Sequence, residues 1–439
     1  MLGFDVFMRE KIASGPLCLR SIGSCMMSVS CPPLFFVTEC YQLTSTVRSG
    51  DTSRLALSFT SSTIVKISRM QMELDRVEVS ESVCEQSQRF TNVGNPIGFF
   101  AHPYPLTVDF CCGLGGLSLA AQQLGMTVVA GVDTNCDSLK TFSRNFPHAV
   151  SIEATISGKR AVETCKSAVD KYSNSQVPLI VLSGPPCQGF SAAGTRDPKD
   201  KRNKILLGVA RAINALRPSC ALVENVQELL TDKHRKRVKD FETHLRDAGY
   251  YVLTIELDAK DYGVPQKRRR AFFLITRTRL AEARVIQRFV SLQTAEIPCG
   301  SRLDDLPVAE VRGAMYDDDD ELLRISPNHL AMRHSEAVQE KIAAIPAGRG
   351  PMSYRKLDPT KPANTLFSGH RAPPAHYKYP RSITVREAAR LQGFPDDFRI
   401  YGSFANQMMQ VTNAVPPPLA RTVLQVLAEF AGLSHRRDD

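Results

Sequence analysis

The sequence predicts an α/β fold: a doubly wound, mostly parallel sheet with a smaller irregular domain attached. Three observations lead there. From Leu106 onward, short β-rich apolar runs alternate with helical runs, the pattern of strands covered by helices on both faces. A glycine-rich stretch directly follows the first of these strands and opens a helix, where folds of this kind bind ligands. The composition, 43% hydrophobic and 23% charged, is that of an ordinary globular chain.

Residues 1–104 mix Ser, Thr, Cys and Met with no sustained period, as a partly disordered extension would, and no role is assigned to them. Residues 69–79 are compatible with a short amphipathic helix, and Met70 and Met72 offer alternative translation starts. LTVDF (106–110) is then the first strand and LSLAAQQLG its helix; TVVAGVD (127–133) is the second, with a helix to about residue 146. LIVLS (179–183), the helix ILLGVARAINAL and CALVEN (220–225) follow. A basic helix near 235–248 precedes two more strands, YVLTIEL and AFFLIT. Residues from about 277 lose the alternation and hold an acidic run at 317–320, several prolines, and His329, Arg333, His334, Tyr354, Arg355, His370 and Arg371. Helical patterning returns at 384–391 and 418–430. The division expected is therefore 1–104, 105–276, 277–383 and 384–432.

Several function classes fall away. No stretch approaches 18 uninterrupted apolar residues, so no membrane span is expected, and Arg9, Glu10, Lys11 and Arg20 break up any secretory signal. The formal charge of +10 suits a polyanionic partner, although a basic balance alone is also common in proteins that bind no nucleic acid. The 12 cysteines include no CxxC pair, which argues against zinc and for reduced thiols in a cytoplasm; no metal is expected.

Four motifs carry chemistry. In DFCCGLGG (109–116), Gly113, Gly115 and Gly116 let the backbone approach a ligand, and Asp133, ending the next strand, can accept hydrogen bonds from ribose hydroxyls. That much fits NAD, FAD or S-adenosylmethionine equally. In GPPCQGFS (184–191), two prolines stiffen a turn at a strand end and present Cys187, the arrangement of a positioned nucleophile rather than of a buried structural thiol. Glu224 ends a buried strand, an active-site position in this architecture, although an ion-paired structural glutamate would look the same. In DYGVPQKRRRAFF (261–273), Gln266, Arg268 and Arg270 alternate and so share one face.

In this order the motifs resemble the DNA cytosine-5 methyltransferase family, of the bacterial or phage modification-enzyme type, over about residues 105–430. REAARLQGFPDDF (386–398) and QVTNAVPPPLA (410–420) extend the likeness to its C-terminal motifs. The resemblance implies a Rossmann-like fold binding S-adenosyl-L-methionine through Phe110, Cys111, Gly113, Gly115, Gly116, Asp133, Pro185 and Asn413. It implies catalysis by Cys187 as nucleophile at carbon 6 of a flipped-out cytosine and Glu224 as proton donor to nitrogen 3. Arg268 would orient the base, with Arg270 supporting it, and a target recognition domain would span 277–383, Thr365-Leu366 resembling its recurring pair. The implied partner is double-stranded DNA, with a cognate restriction endonuclease acting separately; a monomer associated with the nucleoid is expected. The chain departs from the family at Cys111, where phenylalanine is usual, near Thr155 and Ile156, where an acid is, and at Thr412 in place of glycine, so the turn there is expected to be adjusted. Rival readings are a transfer-RNA cytosine methyltransferase of the same fold, an inactive DNA-binding regulator, and a nicotinamide oxidoreductase that would leave GPPCQGFS unexplained.

Overall fold

The apolar runs become one eight-stranded sheet in a computed structural model. It describes residues 104–156, 158–172, 177–186, 205–311, 327–351, 354–367 and 373–433, and the backbone of a strand at Ile64–Lys66. The strands are β1 (Ile64–Lys66), β2 (Leu106–Phe110), β3 (Thr127–Asp133), β4 (Val150–Glu153), β5 (Leu179–Ser183), β6 (Cys220–Val226), β7 (Tyr251–Asp258) and β8 (Arg269–Thr276). Their order across the sheet is β1-β7-β8-β6-β5-β2-β3-β4. All neighbours run parallel except β8, which is antiparallel to both β6 and β7.

This order explains where a ligand can go. From β2 the chain steps outward through β3 to β4, then returns to β5 on the other side of β2. The crevice between the carboxyl ends of β2 and β5 is the switch point at which such sheets bind ligands. Phe110 and Ser183 are paired in register there, so the glycine-rich loop and the Pro-Pro turn leave the sheet side by side.

Both faces of the sheet are buried, which is why the strands read as continuous apolar runs. In β6, Cys220 and Leu222 join one core while Ala221 and Val223 join the other, all fully buried. The first core is roofed by α1 (Gly116–Gln123), α2 (Cys136–Asn145), α6 (Glu282–Ser291) and α10 (Pro417–Phe430). The second is covered by α3 (Lys159–Asp170), α4 (Ile205–Leu216) and α5 (Arg235–Asp247). Val285 and Phe289 of α6 belong to the first core, so the segment after residue 277 begins packed against the sheet.

Several elements were not legible beforehand. β4 is an edge strand with only Ile152 buried, too short and polar to show a pattern. Helix α3 follows it. β1 comes from the N-terminal extension and pairs with β7. A helix α9 (Phe404–Asn413), rich in Asn, Gln and Met, precedes α10. The expected helix at 69–79, the starts Met70 and Met72, the acidic run at 317–320, and His370 and Arg371 lie outside the described residues.

Beyond α7 (Glu336–Ala344) and a two-stranded pair, β9 (Glu310–Val311) with β10 (Leu330–Ala331), the smaller region is tied down by side chains. Helix α8 (Val385–Leu391) starts with a capping box between Thr384 and Glu387. Glu387 also takes two hydrogen bonds, 2.7 and 2.8 Å, from buried Arg381. Arg386, fully buried, donates to the carbonyls of Pro327, Pro395 and Phe398, closing the GFPDDF turn around one guanidinium.

Candidate active site

The glycine loop turns by leaving the right-handed region three times: Cys111 (φ 56°), Gly113 (φ 54°) and Gly115 (φ 101°). A side chain at Gly115 would stand 2.4 Å from the Phe146 ring, and one at Gly116 would stand 2.3 Å from the Val415 carbonyl oxygen. Gly113, by contrast, faces open space. Asp133 braces the loop: Oδ2 accepts the Gly113 N–H at 2.8 Å, and Oδ1 accepts the N–H groups of Thr134 and Asn135. Buried Asp109 accepts a hydrogen bond from Ser118 Oγ at 2.7 Å, while its Oδ1 has no hydrogen-bond partner among the described residues. Burial, then the charge of Asp133, raises its pKa to about 7, Ser118 opposing. Burial and the same two carboxylates push the Cys111 thiol upward, so that thiol stays protonated. Two carboxylates at a glycine turn with an orphaned oxygen and open space at Gly113 fit a cationic, ribose-bearing ligand.

The placement of Glu224 follows from strand register. Glu224 of β6 stands opposite Phe272 of β8, and Val226 opposite Arg270. Glu224 and Arg270 are therefore diagonal neighbours on one face, within reach of long side chains. They form an ion pair, Nε to Oε1 at 2.9 Å, both largely buried. Burial raises the Glu224 pKa, and the charges of Arg270 and Arg268 oppose it. The predicted alternation holds: Gln266 and Arg268 are buried and Arg270 half-buried, whereas Lys267 and Arg269 are exposed. The two arginines take different partners. Arg270, expected to support, makes the contact with Glu224. Arg268, only 1% exposed, donates instead to the carbonyls of Thr412 and Ala414 at 2.9 and 3.0 Å.

Three motifs converge on Gly184. A Cβ built there lies 3.8 Å from Glu224 Oε2, 3.8 Å from Val415 Cγ2 and 4.0 Å from the Cys111 carbonyl oxygen. Asn225 Nδ2 then donates to the carbonyl of buried Pro185, pinning the start of the Pro-Pro turn to β6. Cys187, next but one in the chain, lies outside the described residues. Phe110 is buried at the end of β2, and Asn413 is exposed as the last residue of α9.

Thr412 needs no adjusted turn. It lies within α9, and its hydroxyl donates to the carbonyl of Met408 at 2.8 Å; the positive-φ non-glycine residues described are Cys111, Arg217 and Asn328. Sequence reasoning left two contributors without partners. Asp109 was visible only as an acid inside a motif. Gln266 joins three segments: its Oε1 accepts the Leu366 N–H, and its Nε2 donates to Leu391 O and Gln392 Oε1. Thr365 Oγ1 meanwhile donates to Lys267 O at 2.6 Å. Among the described residues, no group of three or more His, Cys, Asp or Glu could hold a metal.

The family model for C-5 cytosine-specific DNA methylase matches residues 106–429. The Type II methyltransferase M.XorII of Xanthomonas oryzae pv. oryzae is 31% identical over 370 residues, 73% of this chain and 83% of that protein. M.DdeI of Desulfomicrobium norvegicum is 31% identical over 374 residues, 74% and 88% of the two chains. Among solved structures, a prophage-encoded DNA modification methyltransferase of E. coli superposes with a TM-score of 0.62 at 25% identity, covering 75% of this chain and 99% of that one. The Dnmt2 methyltransferase of S. pombe shares the fold, with a TM-score of 0.53 at 15% identity over 74% of this chain and 98% of that one.

Proposed function

This chain belongs to the C-5 cytosine-specific DNA methylase family, and from that premise we propose how its residues methylate a flipped-out cytosine in duplex DNA. It is a DNA cytosine-5 methyltransferase of the restriction-modification type. The observation that carries the mechanism is the buried Glu224–Arg270 pair, set beside Gly184 where the start of the Pro-Pro turn and the glycine loop meet.

S-adenosyl-L-methionine, when bound, supplies an electrophilic methyl group. Gly113, Gly115, Gly116, Asp109 and Asp133 are the residues to hold it, with Phe110, Cys111, Pro185 and Asn413 around them. The thiolate of Cys187 adds to carbon 6 of the ring, and the carbon 5–carbon 6 π pair shifts to leave carbon 5 enamine-like. Glu224, whose ionisation burial opposes, gives its proton to nitrogen 3, and Arg270 stabilises the carboxylate left behind. Once carbon 5 is methylated, its proton leaves to a base, the electron pair re-forms the carbon 5–carbon 6 double bond as the Cys187 thiolate departs, and nitrogen 3 returns its proton to Glu224. Extrusion of the base costs a few kcal/mol of stacking and pairing, offset by contacts to the duplex. Residues 277–383 are the segment to read the target sequence, and a cognate endonuclease is the partner enzyme acting separately. No described helix is long and apolar enough to cross a membrane.

Bisulfite sequencing of DNA from cells expressing the chain tests this reading, with Cys187→Ala alongside. Wild type should protect cytosines within one recurring duplex sequence. The variant should protect none while still shifting duplex DNA on a gel. Equal conversion in wild-type and empty cells, or methylation of transfer RNA instead of duplex DNA, would refute it.

A further inference from the structure

We propose that Arg268 is a positioning residue for the cofactor side of the site, acting through the C-terminal turn rather than on the base; the assignment rests on the reading above. The last carbonyls of a helix have no partners within it and must find them elsewhere. At the end of α9 they find buried side chains. Gln392 Nε2 donates to Val411 O at 2.8 Å, and a single nitrogen of Arg268 donates to both Thr412 O and Ala414 O. Gln392 is itself hydrogen-bonded to Gln266, so residues two apart on the β8 approach both grip this turn.

The gripped turn sits between the two ligand loops. Val415 comes immediately after Ala414. Its carbonyl oxygen occupies the space a side chain at Gly116 would need, and its Cγ2 faces Gly184. A displacement of a few tenths of an ångström in this turn therefore reaches the glycine loop directly. The Arg270 side chain turns elsewhere, pairing with Glu224 and with the carbonyl of Arg269. The two arginines of one motif thus divide the work, one holding the cofactor wall and one holding the catalytic carboxyl.

Lysine is the informative replacement. It keeps the charge that Glu224 feels from either position but loses the planar fork. Arg268→Lys and Arg270→Lys are compared in the full chain for KM of S-adenosyl-L-methionine, kcat at saturation, and the dissociation constant of S-adenosylhomocysteine without DNA. Arg268→Lys should raise KM and that dissociation constant by about tenfold with kcat within about threefold; Arg270→Lys should lower kcat with KM within about threefold. A fall in kcat at unchanged KM in Arg268→Lys overturns the proposal. So does an Arg268→Lys chain that circular dichroism shows unfolded, since the residue would then be building the core. If wild type itself transfers no methyl group, the functional reading fails, and S-adenosylhomocysteine binding still decides the role of Arg268.

Discussion

Replacing Arg270 with methionine should destabilise the protein in a pH-dependent way that exposes the state of Glu224. At 2.9 Å, with an effective dielectric of about 20, the pair attracts by about 6 kcal/mol. Desolvation of two largely buried ions takes back several kcal/mol each, so the intact pair contributes little net stability. Breaking it is different, because a buried carboxylate is left behind, at a typical cost of about 3 to 5 kcal/mol. The lower end, about 3 kcal/mol, is expected, since the charge of Arg268 still reaches Glu224. At roughly 2 °C per kcal/mol for a chain of this size, the melting temperature should fall by about 6 °C. The sign with pH follows from the pKa. Burial raises the folded pKa of Glu224 above its unfolded value, so its contribution is full below the ordinary glutamate range and is lost as pH rises through the folded value. Losing Arg270 moves that folded value further up. The difference between variant and wild type should therefore grow from pH 5 to pH 8 in urea unfolding. Glu224→Gln should recover much of the loss in the double variant, because a neutral amide needs no counter-charge. Additivity within about 0.5 kcal/mol, or a loss independent of pH, would refute the reasoning.

Gly116→Ala places a methyl group 2.3 Å from the Val415 carbonyl, which cannot rotate away, so a loss of about 1 to 3 kcal/mol and weaker S-adenosylhomocysteine binding are expected by thermal melting and calorimetry. His376 accepts the N–H groups of Lys378 and Tyr379 at Nδ1, and burial foremost lowers its pKa to about 4. Its folded pKa is thus below the unfolded one, so stability is full above about pH 6.5 and is lost as pH falls through about 4, by roughly 3 kcal/mol in all. His376→Asn, which keeps an acceptor at that position, should flatten the unfolding profile between these pH values; an unchanged slope would exclude His376 as its source.

The sheet was legible because strands buried on both faces write themselves as apolar runs, as in LIVLS and CALVEN. The edge strand β4 was not, having one buried residue. Helix α9 was hidden because its polar face is satisfied by tertiary partners: Gln407 donates to Gly402 O, Gln410 to Tyr401 O and Asn406 to Asp137. The same reason concealed the three partners of Gln266, which lie about 100 residues or more away in the chain.

Composition, alternation and motif order were enough to determine the fold class and the family likeness. Period 2 even determined that Gln266, Arg268 and Arg270 share a face. What it could not determine was which arginine meets Glu224, or that Thr412 is helical. Alternation places side chains relative to their own strand only. The partner across the sheet is set by the long-range register of β6 on β8, and that register, formed on folding, gives Glu224 to Arg270 and leaves Arg268 to the C-terminal turn.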